Sequence, residues 1–145
     1  MKIAAGADHA GFELKAQLAE KLRSLGHEVT DFGVAAADSV DYPDYAAKVC
    51  KAVMAGETEL GILVCGTGQG MAMTANRFRD IRAAVCSEPF SARMARAHNN
   101  ANVLCLGARV VGAGLAGEIL DTFLNTAFEG GRHERRVHKI NSSSA

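Results

Sequence analysis

The sequence predicts an α/β fold: a single doubly wound, Rossmann-like domain with a five-stranded parallel sheet and a C-terminal helical extension. Three observations lead there. Short apolar runs alternate with amphipathic stretches long enough to serve as crossover helices. The apolar runs lack polar alternation, as strands covered on both faces do. The chain has 145 residues with 48% hydrophobic content, which suits one compact domain over 1–145 with no linker.

Taken in order, the apolar run at 2–7 is expected as the first strand and the amphipathic stretch at 11–25 as its helix. A strand at 28–32 and a helix at 45–54 follow, then the strongly apolar strand at 60–65. The pattern continues with a helix at 68–77, a strand at 81–87, a helix at 89–98, a strand at 102–106 and a helix at 114–128. Five βα units result. Glu129-Gly130-Gly131 then breaks the chain, a basic segment runs from Arg132 to Lys139, and residues 141–145 read as a frayed polar end. No internal repeat or low-complexity segment is evident.

Sixteen basic and sixteen acidic residues cancel, which removes any bulk electrostatic case for nucleic acid as a partner. No apolar stretch approaches the roughly 20 residues that span a bilayer, so no membrane partner is expected. The N-terminus is too short in apolar residues and too soon acidic for a secretory signal, which predicts a cytoplasmic protein. Cys50, Cys65, Cys86 and Cys105 match neither a zinc-ligand spacing nor a redox CxxC. Cys50, Cys86 and Cys105 read as small buried hydrophobes.

Cys65 differs because Gly66, Gly68 and Gly70 follow it at every second position. Such a turn curls tightly and points successive N–H groups into one cavity, an anion cradle with a thiol at its rim. A plain strand-to-helix turn is the alternative. The dinucleotide fingerprint fails because Met71 stands where its third glycine belongs, and a P-loop fails for want of Lys-Ser/Thr after the last glycine. A Cys-x5-Arg phosphatase fails too, since Met71 occupies the arginine position. Ligands of doubly wound sheets bind beyond the carboxyl ends of the strands. That rule selects Asp8 and His9, the loop from Gly33 to Tyr42, Cys65 to Gly70, Ser87 and Glu88, and Gly107 to Arg109. Asp8 could equally cap a helix, and His98 at a helix end could merely complement the dipole. Arg132 and Arg136, four apart on one helical face, could fork onto a phosphate or stay solvated.

Together these pieces resemble one family. Asp8-His9-Ala10-Gly11-Phe12, Asp41-Tyr42-Pro43, Cys65-Gly66-Thr67-Gly68-Gln69-Gly70, Ala75-Asn76-Arg77, Arg82-Ala83-Ala84, Ser87-Glu88-Pro89, His98-Asn99, Gly107-Ala108-Arg109 and Glu129-Gly130-Gly131-Arg132-His133 are similar to the ribose-5-phosphate isomerase B family. Allose-6-phosphate and galactose-6-phosphate isomerases also belong to it. The resemblance runs nearly end to end. It implies interconversion of ribose 5-phosphate and ribulose 5-phosphate without a metal or organic cofactor, with Cys65 as the base and Thr67 beside it. It further implies His98 as the ring-opening acid and Asp8 and His9 as substrate contacts. The amides of Gly66, Thr67, Gly68, Gln69 and Gly70 would cradle the enediolate, Asn99 and Arg109 would complete the sugar site, and Arg132 and Arg136 would hold the phosphate. A second branch of the family carries Glu directly after the last cradle glycine. Met71 cannot act as a base, which places this chain with the Cys branch. The resemblance also implies a homodimer or dimer of dimers in which His98, Asn99 and Arg109 meet Cys65 across the subunit boundary. A catalytically silent phosphosugar-binding or regulatory module is the alternative, although binding alone needs neither thiol nor ring-opening acid.

Overall fold

The computed structural model describes residues 1–36 and 38–143. Five strands, β1 (Lys2–Ala7), β2 (Glu28–Asp31), β3 (Leu60–Cys65), β4 (Ala83–Val85) and β5 (Val103–Gly107), form one sheet in the order β2-β1-β3-β5-β4. Every neighbouring pair is parallel. The helices are α1 (Phe12–Ser24), α2 (Tyr42–Met54), α3 (Gln69–Ala75), α4 (Pro89–Ala97), α5 (Ala113–Asn125) and α6 (Arg132–Ser142).

The sheet separates two cores. On one side Leu14, Leu18 and Leu22, spaced by four along α1, pack with Ile119, Leu120 and Phe123 of α5 and Ala92 and Ala95 of α4. They cover Ile3, Ile62, Val64 and Leu104. On the other side Val49 and Cys50 of α2 and Met71 and Ala75 of α3 cover Ala4, Leu63, Cys65 and Cys105. Along β3 the alternation of Ile62 and Val64 with Leu63 and Cys65 is the period-two geometry of a strand. It is invisible in the polarity of the sequence because both faces are covered. Phe123 is fully buried, and truncating it to alanine would cost about 3–5 kcal/mol.

Several boundaries differ from expectation for identifiable reasons. Helix α2 starts at Tyr42 rather than 45, because Asp41 takes the extended cap conformation and Pro43, in the first turn, needs no N–H partner. Edge strand β4 covers only Ala83–Val85. The Asn76 side chain bonds both the N–H (2.8 Å) and the carbonyl (3.0 Å) of Ala83, and the Arg82 N–H goes to Asn102 Oδ1 at 2.7 Å. Helix α5 stops at Asn125, after which Thr126 turns extended and the Glu129 N–H bonds the Ala97 carbonyl at 3.0 Å. The tail is not frayed from 141: Asn141 and Ser142 lie inside α6, and the Arg82 guanidinium donates to Asn141 Oδ1 at 3.1 Å. Ser144 and Ala145 lie outside the described residues.

Candidate active site

From β1 the chain moves outward to β2, then returns past β1 to β3. The strand order therefore reverses between β1 and β3, and the crevice beyond their carboxyl ends is where ligands of such sheets bind. Asp8 leaves β1 there and Cys65 ends β3. The Asp8 N–H bonds the Val64 carbonyl at 3.3 Å, which ties the two loops together.

Asp8 is buried. Its Oδ1 accepts from the amides of Ala10 (3.0 Å) and Gly11 (3.2 Å), so one oxygen holds the turn into α1. The other has no protein donor among the described residues and faces no competing bond. His9 accepts at Nδ1 from the Val40 N–H at 3.3 Å. In its neutral form that bond leaves the ring proton on Nε2, so His9 presents a donor. The loop that brings Val40 is anchored by buried Lys15, whose ammonium donates to Asp31 Oδ1 (2.7 Å), Asp31 Oδ2 (2.9 Å) and the Val34 carbonyl (2.8 Å).

The turn after β3 is a cradle in geometry as well as in sequence. Cys65 is 5% exposed, and its Sγ accepts the Gly68 N–H at 3.1 Å. Gly68, with φ of 82°, occupies the left-handed region at the α3 N-cap, which bends the amide back onto the sulfur. The Gln69 N–H goes to Thr67 Oγ1 at 3.2 Å, leaving the Thr67 hydroxyl proton free to donate outward. The amides of Gly66, Thr67, Gly70 and Met71 donate to no acceptor among the described residues. Such orphan donors are what an oxyanion requires.

Two side chains close the rim. The Arg109 guanidinium lies against Gly66, its NH1 only 3.3 Å from where a Cβ would stand, and it pairs with no carboxylate among the described residues. The Ala108 N–H to Cys65 carbonyl bond (2.8 Å) and the Arg109 N–H to Gly66 carbonyl bond (3.0 Å) fix it there. Arg109 thus joins Cys65 within one chain, which corrects the expectation that it arrives from a second subunit. Tyr42, unassigned by sequence reasoning, covers Gly70, its hydroxyl 2.9 Å from a Cβ position there. An aromatic beside Pro43 at a helix start on the carboxyl edge was the available signal.

The remaining cysteines are inert. Burial pushes the Cys50 thiol up to about 12 and, with Glu88 adding, the Cys86 thiol to about 11; Cys105, deeper still, is raised well above its ordinary value by burial first.

His98, Asn99, Arg132 and Arg136 are elsewhere. Helix α4 ends at His98, and the chain turns through Asn100 (φ 47°) before entering β5 at its amino end. Cys65 pairs with Gly107 and Gly61 with Val103, so the length of β5, about 13 Å, separates the His98 end of the sheet from the cradle. Helix α6 stays at that far edge. His133 stacks on His98 with ring centroids 4.1 Å apart and planes at 11°, and Glu129 Oε1 lies 3.8 Å from His98 Nε2 and 3.6 Å from His133 Nε2. Glu129 and His133 had no role assigned from the sequence, although both stand in the Glu129-to-His133 motif. The trio has the donor types of a metal site, but a metal binds in the plane of each imidazole, and two nearly parallel planes do not converge on one ion. Arg132, Arg136 and Asn99 are exposed beside this stack.

The family model described as Ribose/Galactose Isomerase matches residues 3–140. The chain belongs to that family. It is 51% identical over 139 residues to ribose-5-phosphate isomerase B of Escherichia coli, covering 96% of this chain and 93% of that protein. A solved structure of Clostridium thermocellum ribose-5-phosphate isomerase B superposes with a TM-score of 0.97 at 52% identity, covering 98% of this chain and 96% of that one. That of a Thermotoga maritima ribose 5-phosphate isomerase gives 0.96 at 55% identity, with 97% of each chain covered. The fold is thus the α/β fold of this family. No helix among the described residues is long and apolar enough to cross a membrane.

Proposed function

We propose that this chain is an aldose–ketose isomerase that interconverts ribose 5-phosphate and ribulose 5-phosphate, with Cys65 as its base. One observation carries the reading: a cradle-rim thiol, bonded by the Gly68 amide at 3.1 Å, sits in a turn whose Gly66, Thr67, Gly70 and Met71 amides have no partner among the described residues. Membership of the family supports it.

The aldose is mainly a closed ring, so chemistry begins with an acid. His98 gives a proton to the ring oxygen as the anomeric hydroxyl loses one to water, which frees the C1 aldehyde. Cys65 as thiolate takes the proton from C2. The electron pair moves into a C1–C2 double bond and leaves a negative charge on O1, where the unpaired amides and the Thr67 hydroxyl donate. Cys65 returns the proton to C1 while the O2 proton passes to the negative O1, so that C2 becomes the carbonyl and the neutral ketose results. The amides are fixed before reaction, so the stabilisation needs no reorganisation. His9 through Nε2 and Asp8 through its free oxygen hold sugar hydroxyls, and Asn99 and Arg109 complete that site. Arg132 and Arg136 hold the phosphate, whose distant binding orients the reacting carbons.

A second copy closes the site. The cradle and His98 occupy opposite ends of one sheet, so a two-fold arrangement would bring each His98, with Asn99, Arg132 and Arg136, onto the partner's cradle. Met73, Phe90 and Val110, each more than half exposed, offer apolar surface at the carboxyl side for such a homodimer or dimer of dimers. Four free cysteines, the thiol base Cys65 among them, suit the reducing cytoplasm.

The test mixes two dead enzymes. Cys65→Ala and His98→Asn proteins are each expected to be inactive on ribose 5-phosphate. Refolded together at equal amounts, they should recover about a quarter of wild-type activity, because half the dimers are mixed and each mixed dimer has one intact site. No recovery would rule out a shared site, and turnover by the Cys65→Ala protein alone would remove the base. Parallel assays on allose and galactose phosphates define the sugar length.

A further inference from the structure

We propose that Glu129 is a positioning residue for His98, holding the stacked imidazoles of His98 and His133 as one unit that carries a single proton into ring opening. The proposal rests on the reading of His98 as the ring-opening acid.

The unit is built by backbone geometry. His98 caps α4, and the Glu129 N–H bonds the Ala97 carbonyl immediately before it. Gly130 (φ 69°) and Gly131 (φ 57°) both take positive φ, so the chain doubles back and the first turn of α6 lays His133 on His98. Bulkier residues would resist those angles. One carboxylate oxygen is left near both Nε2 atoms, at 3.8 and 3.6 Å. His133 is 8% exposed at its side chain against 37% for His98. The lower ring is therefore a fixed plate, and the upper one reaches solvent.

Charge decides how many protons the stack holds. Facing it are His98 from α4, Glu129 from the connecting loop, and Arg132 and Arg136 from α6. Burial first, then His98 and Arg132, press His133 toward its neutral form; Glu129 opposes them and Arg136 adds a little to the positive side. Two imidazolium rings 4.1 Å apart beside two arginines would have only one anion between them. The arrangement admits one proton, and the exposed ring is the one that can deliver it.

Glu129→Gln preserves shape and removes the charge. Without the anion, the protonated unit is less favoured, so the fall of kcat/KM for ribose 5-phosphate at high pH should begin about half a pH unit lower, as expected for a partly exposed pair. Glu129→Asp should restore part of that shift. In the same intact proteins, labelled-histidine NMR should show the His133 imidazole staying neutral to lower pH in the Gln variant, with amide spectra confirming the fold. An unmoved His133 titration overturns the proposal, whatever the activity. A moved titration with an unmoved pH profile keeps the coupled unit but removes it from ring opening, which sinks the positioning role. A wild-type protein inactive on every sugar phosphate would instead sink the function reading, and the His133 titration would still decide whether Glu129 governs the stack.

Discussion

Replacing Gly107 with alanine should damage catalysis out of proportion to the one methyl group added. A Cβ at Gly107 would lie 2.8 Å from the Cα, carbonyl carbon and carbonyl oxygen of Thr67, whereas ordinary contact begins at 3.4 Å. Backbone must therefore move by roughly 0.6 Å, since no side-chain rotation relieves a clash with main chain. The movement cannot spread far. Cys65 pairs with Gly107 in the sheet, and the bonds from Ala108 to Cys65 (2.8 Å) and from Arg109 to Gly66 (3.0 Å) clamp the loop on both sides. The displacement falls on the amides of the cradle itself. A misplacement of 1 Å can cost about a hundredfold in rate, so a shift of this size should lower kcat about tenfold. Overpacking should also cost about 1–3 kcal/mol of stability. Gly114→Ala in α5 is the control, because its Cβ meets nothing within 4 Å. Initial rates on ribose 5-phosphate, corrected for folded fraction by urea denaturation, separate the two effects. A Gly107→Ala protein that is measurably destabilised yet keeps kcat within about twofold of wild type would refute the placement of the reaction at this loop.

Three further outcomes follow from the same geometry. His98→Asn should slow turnover of cyclic ribose 5-phosphate far more than exchange of the C1 proton of ribulose 5-phosphate, which needs no furanose opening; equal losses would make His98 structural. Arg132→Ala and Arg136→Ala should each raise KM sharply, with Lys at 136 rescuing only in part because an ammonium cannot fork onto two oxygens. Added salt should weaken wild-type substrate binding more than that of the double variant, and an identical response would remove these arginines from the site. Lys15→Met strips a buried cation from Asp31 and from the Val34 carbonyl. Because Asp31 is 31% exposed, the expected loss is about 2 kcal/mol, below the range for fully buried pairs, and an unchanged urea midpoint would contradict it.

Much of this molecule was legible in its sequence because strands covered on both faces need continuous apolar runs, and β3 and its cradle are the clearest case. The start of the edge strand was not, since Asn76 and Asn102 take up the backbone groups of Ala83 and Arg82 through side-chain bonds that leave no mark in the polarity of 81–87. Nor did the basic composition of α6 reveal that Asn141 is held by Arg82 from a position 59 residues earlier. At the candidate site, the cradle geometry of Cys65 to Gly70 was legible because local spacing defines the turn. The contacts of Tyr42 with Gly70 and of Glu129 with His98 were not legible, because these partners are distant in sequence. Arg109 was placed in the wrong subunit because periodicity says nothing about which end of a sheet a loop will share.

If each His98 serves the partner's cradle, as proposed, the activity also becomes a matter of concentration. Each chain encloses both hydrophobic cores by itself, so under that reading a lone copy would be fully folded and still lack half of each reaction centre. Diluting the protein below its dimer dissociation constant should then extinguish turnover while circular dichroism stays constant. A cell could set flux through this step by the square of chain abundance at low expression, a response steeper than that of any enzyme whose site is complete in one subunit.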